Sequence, residues 1–413
     1  MLFYDPQKFL VDLREHLARH DRPLAFLFGA GTSAAVNVAP APKKGEKPKH
    51  KALVPAVLEL TDLCQSAVTK LGIAFEKAWK SITQECKLRQ QQGNVEDILS
   101  RIRAKFDAVG DKELLSGLTS NDLEKLDITI RDTILLAATP PIPDELPHLK
   151  FARWVRDARR TIPLEIFTAN YDVLFEYAFE STLVPLFDGF VGANEPFFSS
   201  ELVEQDHLLP GAAWLRFWKI HGSVNWVVKE RKEGIRRVLR ISGSKSGNMI
   251  LPSHLKYDES RKQPYLTLIA RLGRVLERDG ALLVTNGYSF SDQHINAVIL
   301  TVLDNRNRSS VISLQYGCLD ELAPLVALAV QTPNLTVAAR DGAIIGGKRY
   351  QWRIRGGPML DLENYLDVVF DADAKEPGGD GPDFVTGSMR LGDFVRFCKF
   401  LDAMIPVERA SRE

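Results

Sequence analysis

A turn of small residues, Gly29-Ala30-Gly31-Thr32-Ser33, follows the continuously apolar run Leu24-Ala25-Phe26-Leu27-Phe28. Glycines at such a place let the backbone approach a phosphate closely, with its amides aimed at the anion. A second segment, Thr168-Ala169-Asn170-Tyr171-Asp172, sets a carboxamide beside a carboxylate. Asn170 offers both a donor and an acceptor, which suits orienting a ribose hydroxyl or a water. Asp172 also precedes the helical Val173-Leu174-Phe175-Glu176-Tyr177, so an Asx-turn or N-cap accounts for the pair equally. A third segment, Lys219-Ile220-His221-Gly222-Ser223, ends a strand with an imidazole among the large apolar residues Phe217, Trp218, Ile220 and Trp226. That imidazole suits general-base work on a hydroxyl or a water; a satisfied core histidine is the plain alternative.

A fourth segment runs from Asn286 to Asn296 and contains Gly287-Tyr288-Ser289 and Ser291-Asp292. Gly287 and Ser289 suit close approach to a ribose or phosphate, and Ser291 or Asp292 suits capping the helix that follows. Asp341-Gly342 is either a plain turn or a contact for the far end of a dinucleotide.

The elements that must position these residues are legible from periodicity. Short apolar runs at 24–28, 164–168, 215–220, 281–285, 311–316 and 335–340 alternate with helical stretches, among them 265–278 with Tyr265, Ile269, Leu272 and Leu276 on one face. This pattern indicates an α/β fold, a doubly wound parallel Rossmann-like sheet covered on both faces. Ligands in such sheets bind beyond the C-terminal strand ends, at a topological switch point. Gly29, Asn170, His221 and Gly287 each directly follow a strand.

The expected organisation has four parts. Residues 1–37 supply a helix over 6–20 and the first strand. Residues 38–145 form a mostly helical insertion, of about five helices at typical helix lengths, with Ile98, Ile102 and Phe106 on one face and Leu114, Leu115 and Leu118 continuing it. Residues 146–345 complete the Rossmann-like domain. Residues 346–413 form an extension with a turn at Gly378-Gly379-Asp380-Gly381-Pro382 and a closing helix at 391–404. The stretch Val38 to Lys51, with five lysines and three prolines, reads as an exposed, mobile loop, either solvated or a basic contact.

Composition excludes several classes. With a formal net charge of zero over 413 residues, nothing in bulk electrostatics favours a nucleic-acid or membrane-surface binder. No apolar run reaches membrane-span length, and the acidic start (Asp5, Asp12, Glu15) is unlike a signal peptide, so a cytoplasmic location is expected. Cys64, Cys86, Cys318 and Cys398 form no Cys-x-x-Cys pair and read as buried free thiols, so no metal site is expected.

Taken in order, Gly29-Ala30-Gly31-Thr32-Ser33, Thr168 to Asp172, His221-Gly222 and Gly287-Tyr288-Ser289 resemble the motifs of the sirtuin superfamily. Lys219 to Trp226 and Gly287 to Asn296 are similar to the divergent sirtuin-like proteins of bacterial antiphage defence. The resemblance implies NAD+ as the bound substrate. It implies contacts from Gly29, Ala30, Gly31, Thr32, Ser33, Thr168, Asp172, Gly287, Tyr288, Ser289, Asp292 and Asp341, and catalytic roles for Asn170 and His221. The zinc ribbon of the deacylases lacks its cysteines here. The expected activity is therefore NAD+ glycohydrolysis, with a protein deacylase or a non-catalytic NAD or ADP-ribose-binding module as alternatives. Length and layout further resemble the subunit that pairs with a HerA-type ATPase, which implies a gated homo-oligomer working with that partner.

Overall fold

The computed structural model describes residues 2–41, 49–89, 91, 93–110, 113–230, 236–241, 264–305, 308–355, 363–376 and 384–405. Its centre is a twelve-stranded sheet. Strand β1 (Leu2–Tyr4) precedes helix α1 (Pro6–Ala18), whose start is capped by the Asp5 carboxylate accepting from the Gln7 amide. Strand β2 (Leu24–Phe28) then enters the middle of the sheet with every residue buried, and the short helix α2 (Gly31–Ala34) follows it.

Four helices come next: α3 (Val57–Thr69), α4 (Ile73–Leu88), α5 (Val95–Ala108) and α6 (Ser120–Ala137). Helix α7 (Pro147–Asp157) leads to β3 (Glu165–Thr168), and α8 (Leu174–Ser181) to β4 (Leu186–Phe187), β5 (Phe190–Val191) and β6 (Phe197–Phe198). After α9 (Ser200–Glu204) come β7 (Leu215–Lys219), β8 (Trp226–Glu230) and β9 (Arg236–Arg240). The second half of the sheet is built from α10 (Tyr265–Leu276), β10 (Leu282–Asn286), α11 (Gln293–Asn305), β11 (Ser310–Leu314), α12 (Ala323–Gln331) and β12 (Leu335–Ala338). The chain ends with β13 (Gly342–Ile345), β14 (Lys348–Arg355), α13 (Glu363–Val369), β15 (Phe370–Glu376), β16 (Phe384–Met389) and α14 (Phe394–Ala403).

In the sheet, β12, β11, β10, β2, β3, β7 and β4 are neighbours in that order, all parallel. Counting β2, β3, β7, β10, β11 and β12 as one to six gives the doubly wound order 3-2-1-4-5-6. The chain reverses its direction of travel between β2 and β10, which makes that crevice the switch point.

Burial explains the apolar runs. Phe26 and Phe28 face one layer, formed by α1, α7, α8 and α14, while Ala25 and Leu27 face the other, formed by α10, α11 and α12. A strand covered on both sides has no solvent face, so alternation disappears from its sequence.

Several expectations need correction. The insertion holds four helices among the described residues, with their own core of Cys64, Trp79, Ile82, Ile98, Ile102 and Leu126. Phe106 is exposed, and Leu114 to Leu118 form a small turn with a Leu115–Leu118 bridge in place of a helical face. Residues 42–48 lie outside the described residues, but the ends of the lysine-rich stretch are held: the Val38 amide donates to Lys51 O, and Asn37 Oδ1 accepts from the Ala39 and Lys51 amides. The Gly378 to Pro382 turn also lies outside them.

Residues beyond 345 are part of the main body. β14, β16 and β15 extend the sheet in antiparallel fashion, and α14 buries Phe394, Phe397, Phe400 and Leu401 against the α7 layer. A small antiparallel sheet, β5-β6-β9-β8, was not anticipated. Cys64, Cys86 and Cys398 are buried, whereas Cys318 is only half-buried, with its sulfur accepting from the Arg340 guanidinium. No helix among the described residues is long and apolar enough to cross a membrane.

Candidate active site

The carboxyl ends of β2, β3, β7 and β10 converge on the switch point. Gly29 and Gly31 are required there by contact with the turn after β10: a Cβ on Gly29 would lie 2.4 Å from Gly287 O, and one on Gly31 2.7 Å from Gly287 Cα. Gly287 itself has φ +65°, and a Cβ on it would lie 2.5 Å from the Thr32 amide nitrogen. The Gly31 amide donates to Gly287 O at 3.0 Å, and the Thr32 amide to Gly29 O at 3.0 Å. Of the amides expected to face a pyrophosphate, that of Gly31 is thus engaged in holding the two turns together and that of Thr32 in closing its own turn. Ala30 and Gly31 are the exposed members of the turn, while Thr32 and Ser33 are buried.

Those buried hydroxyls meet the segment after β3. Asn170 Nδ2 donates to Thr32 Oγ1 at 3.0 Å and to Ser33 Oγ at 2.8 Å, and Ser33 Oγ donates to Asp172 Oδ2 at 2.7 Å. Thr168 Oγ1 accepts from the Asn170 amide, and Asp172 Oδ1 from the Leu174 amide at the start of α8. Asp172 therefore makes the Asx-turn that leads into α8 and also ties that turn to the glycine turn. Asn170 is 5% exposed, and its Oδ1 has no hydrogen-bond partner. A buried carbonyl normally finds one, so this oxygen is the polar atom of the cluster left for a ligand or water.

The third arm is the turn after β7. Lys219, buried, donates to the main-chain oxygens of Tyr171 (3.4 Å) and Asp172 and pairs with Glu176 at 2.8 Å. The Val224 amide and Ser223 Oγ also donate to Tyr171 O. The β7 turn is thereby fastened to the Asn170 segment. The His221 ring lies 6.5 Å from that of Tyr171, whose phenol donates to Glu96 of α5. Burial, with the Glu96 carboxylate beside it, pushes the Tyr171 phenol well above its ordinary range, so it stays protonated.

The fourth arm crosses the others. Asp292 Oδ2 lies 3.0 Å from His221 Nε2, while its Oδ1 accepts from the His294 and Ile295 amides and caps α11. β10 and β7 are three strand spacings apart, about 14 Å, so the segment between Gly287 and Asp292 arches over the ends of β2 and β3. It is pinned by Tyr288 Oη donating to Asn296 Oδ1 and by Asn296 Nδ2 donating to Phe290 O. Phe290 adopts φ +56° within it, a strained setting for an aromatic residue. Ser289 is exposed and hydrogen-bonded to Ser291. An Asp292 carboxylate accepting from Nε2 leaves Nδ1 as the basic nitrogen.

Asp341 is placed at the end of β12, where its Oδ1 accepts from the Leu319 amide and holds a turn. Sequence reasoning gave no role to Lys219, Glu96 or Asn225, whose Oδ1 is likewise buried and unpartnered. Asn225 sits four residues beyond His221 and was available as a signal; Glu96, remote in sequence, was not. Among the described residues no group of His, Cys, Asp and Glu side chains is arranged to hold a metal ion.

No curated protein matches the chain. Residues 164–323, from the start of β3 to the start of α12, match the family described as SIR2-like domain, and three of the four arms of this cluster lie within the matched stretch.

Proposed function

We propose that the chain is an NAD+ glycohydrolase. The reading rests on one observation: at the switch point of a doubly wound sheet the glycine turn is hydrogen-bonded to Asn170, the turn that carries His221 to the neighbouring Tyr171 O, and His221 to Asp292. That is where such sheets take dinucleotides, and the SIR2-like match is to a family that uses NAD. In this reading the bond between nicotinamide and ribose breaks with its electron pair leaving on nicotinamide. A water adds to C1′, giving ADP-ribose, and its proton passes to Nδ1 of His221. Asp292 orients the ring, and Asn170 Oδ1 accepts from the water or a ribose hydroxyl.

Hydrolysis is preferred to protein deacylation because the small β5-β6-β9-β8 sheet contains no cysteine with which to build a zinc ribbon. Incubation with NAD+ and chromatography of the products tests the reading. Nicotinamide and ADP-ribose are expected, falling about 10²–10⁴-fold in His221→Ala, the usual contribution of a general base. Products independent of His221 would remove it from the mechanism. From the same resemblance we place the enzyme in antiphage NAD+ depletion as a gated homo-oligomer on a HerA-type ATPase. Light scattering of the protein with and without such an ATPase tests the assembly; a monomer under both conditions would reject it.

A further inference from the structure

At the opposite ends of the strands, beneath the amino ends of β2, β10 and β11, lies a cavity of about 140 Å³. Its floor is Pro23, Leu24 and Leu282, with Gly280 and Ser310 beside them, and its walls are basic: His16, Arg19, Arg22, Arg160 and Arg308. Four guanidinium groups surround one concavity, and the buried one, Arg160, needs a source of negative charge. The protein supplies little. Arg308 pairs with Asp279 at 3.0 Å on the rim. Arg160, 9% exposed, donates only to main-chain oxygens, those of Leu17, Arg19 and Arg22, and its Nε has no partner. Arg19 and Arg22 form no ion pair among the described residues. Burial lowers the Arg160 guanidinium to about 10, with Asp21 only partly opposing it, as expected of a cation whose counter-ion is missing.

We propose that this cavity binds a small phosphate-bearing anion. Arginine presents a planar fork matched to phosphate oxygens, and a space of about 140 Å³ has room for a phosphate group. The carboxylates of Asp21 and Asp279 at the margin repel an extended polyanion, which separates this site from a nucleic-acid surface. It also lies at the opposite ends of the strands from His221, outside the cluster of the proposed glycohydrolase site.

Isothermal titration of the full chain with inorganic phosphate, pyrophosphate and ADP, each against chloride of equal ionic strength, tests the site. Saturable binding of one anion per chain is expected, and the tightest of the three identifies the form taken. Arg19→Ala/Arg22→Ala and, separately, Arg308→Ala should weaken it at least tenfold. All three arginines are surface residues, so these variants keep their melting temperature; the Arg19 and Arg22 carbonyls that hold Arg160 are unaffected by them. No saturable heat at millimolar anion, binding unchanged in both variants, or a preference for a single-stranded oligonucleotide over the free anions would each overturn the proposal.

Discussion

At the scale of single residues, the cluster at the switch point is as much a fastening as a catalytic array. The Asn170 amide nitrogen is spent on Thr32 and Ser33. Removing it leaves two buried hydroxyls short of a donor, at a typical cost of about 1–3 kcal/mol. Asn170→Ala should therefore lower the urea midpoint as well as activity, whereas His221→Ala, whose ring has the one hydrogen bond to Asp292, should lower activity at nearly unchanged midpoint. Equal midpoints for the two variants would contradict this division. Gly287→Ala combines a left-handed backbone with a Cβ 2.5 Å from the Thr32 nitrogen. The conformational cost alone is about 1–2 kcal/mol, and the clash with main chain adds to it. Its thermal midpoint should fall by several degrees, and an unchanged melt would mean that the two turns do not touch.

At the scale of elements, sequence legibility followed burial. β2 is read to the residue because all five side chains are apolar and buried on both faces, and α10 because its apolar stripe recurs every turn. The small β5-β6-β9-β8 sheet was missed since its first two strands are two residues long, below the length at which alternation shows. In the extension after 345 the closing helix was legible, but the strands were not, because antiparallel strands at a sheet edge mix polar and apolar residues, as in Lys348–Arg355. In the site, the strand-end positions were visible, but the tie between the β3 and β7 turns was not, for Lys219 looks like any lysine in sequence. Its burial beside Glu176, whose carboxyl burial raises against the pull of Lys219, makes the pair a test of that tie. Lys219→Met should destabilise by about 3–5 kcal/mol, the cost of leaving a buried charge unpaired. Adding Glu176→Gln should recover much of it. Additive losses in the double variant, measured by urea denaturation, would show that the two groups act separately.

At the scale of the whole molecule, stability depends on how the two layers seal the sheet, and the aromatic layer contains a titratable group. His148 of α7 is fully buried against Phe175 (4.5 Å between ring centroids) and Phe394 (4.8 Å), and neither ring nitrogen has a partner. It thus joins α7, α8 and α14, three elements far apart in sequence, through a neutral ring. Burial lowers it from 6.5 to about 3. Because the folded-state value lies below the unfolded one, the unfolded chain takes up this proton first as pH falls. The stability is complete above about pH 6.5 and is lost progressively towards pH 3. Between pH 7 and pH 5 the loss is about 2 kcal/mol. Glu165, whose burial is outweighed by the Arg271 hydrogen bond and charge, is held below 4.5 and so loses its contribution only at lower pH. Glu176 and Asp188, raised by burial, act in the opposite sense, so the comparison must be made between variants. His148→Leu keeps an apolar group of similar volume and deletes the proton. Its urea midpoint should fall less than that of the wild type between pH 7 and pH 5. Parallel losses in the two proteins would mean that His148 takes up its proton without opening the layer.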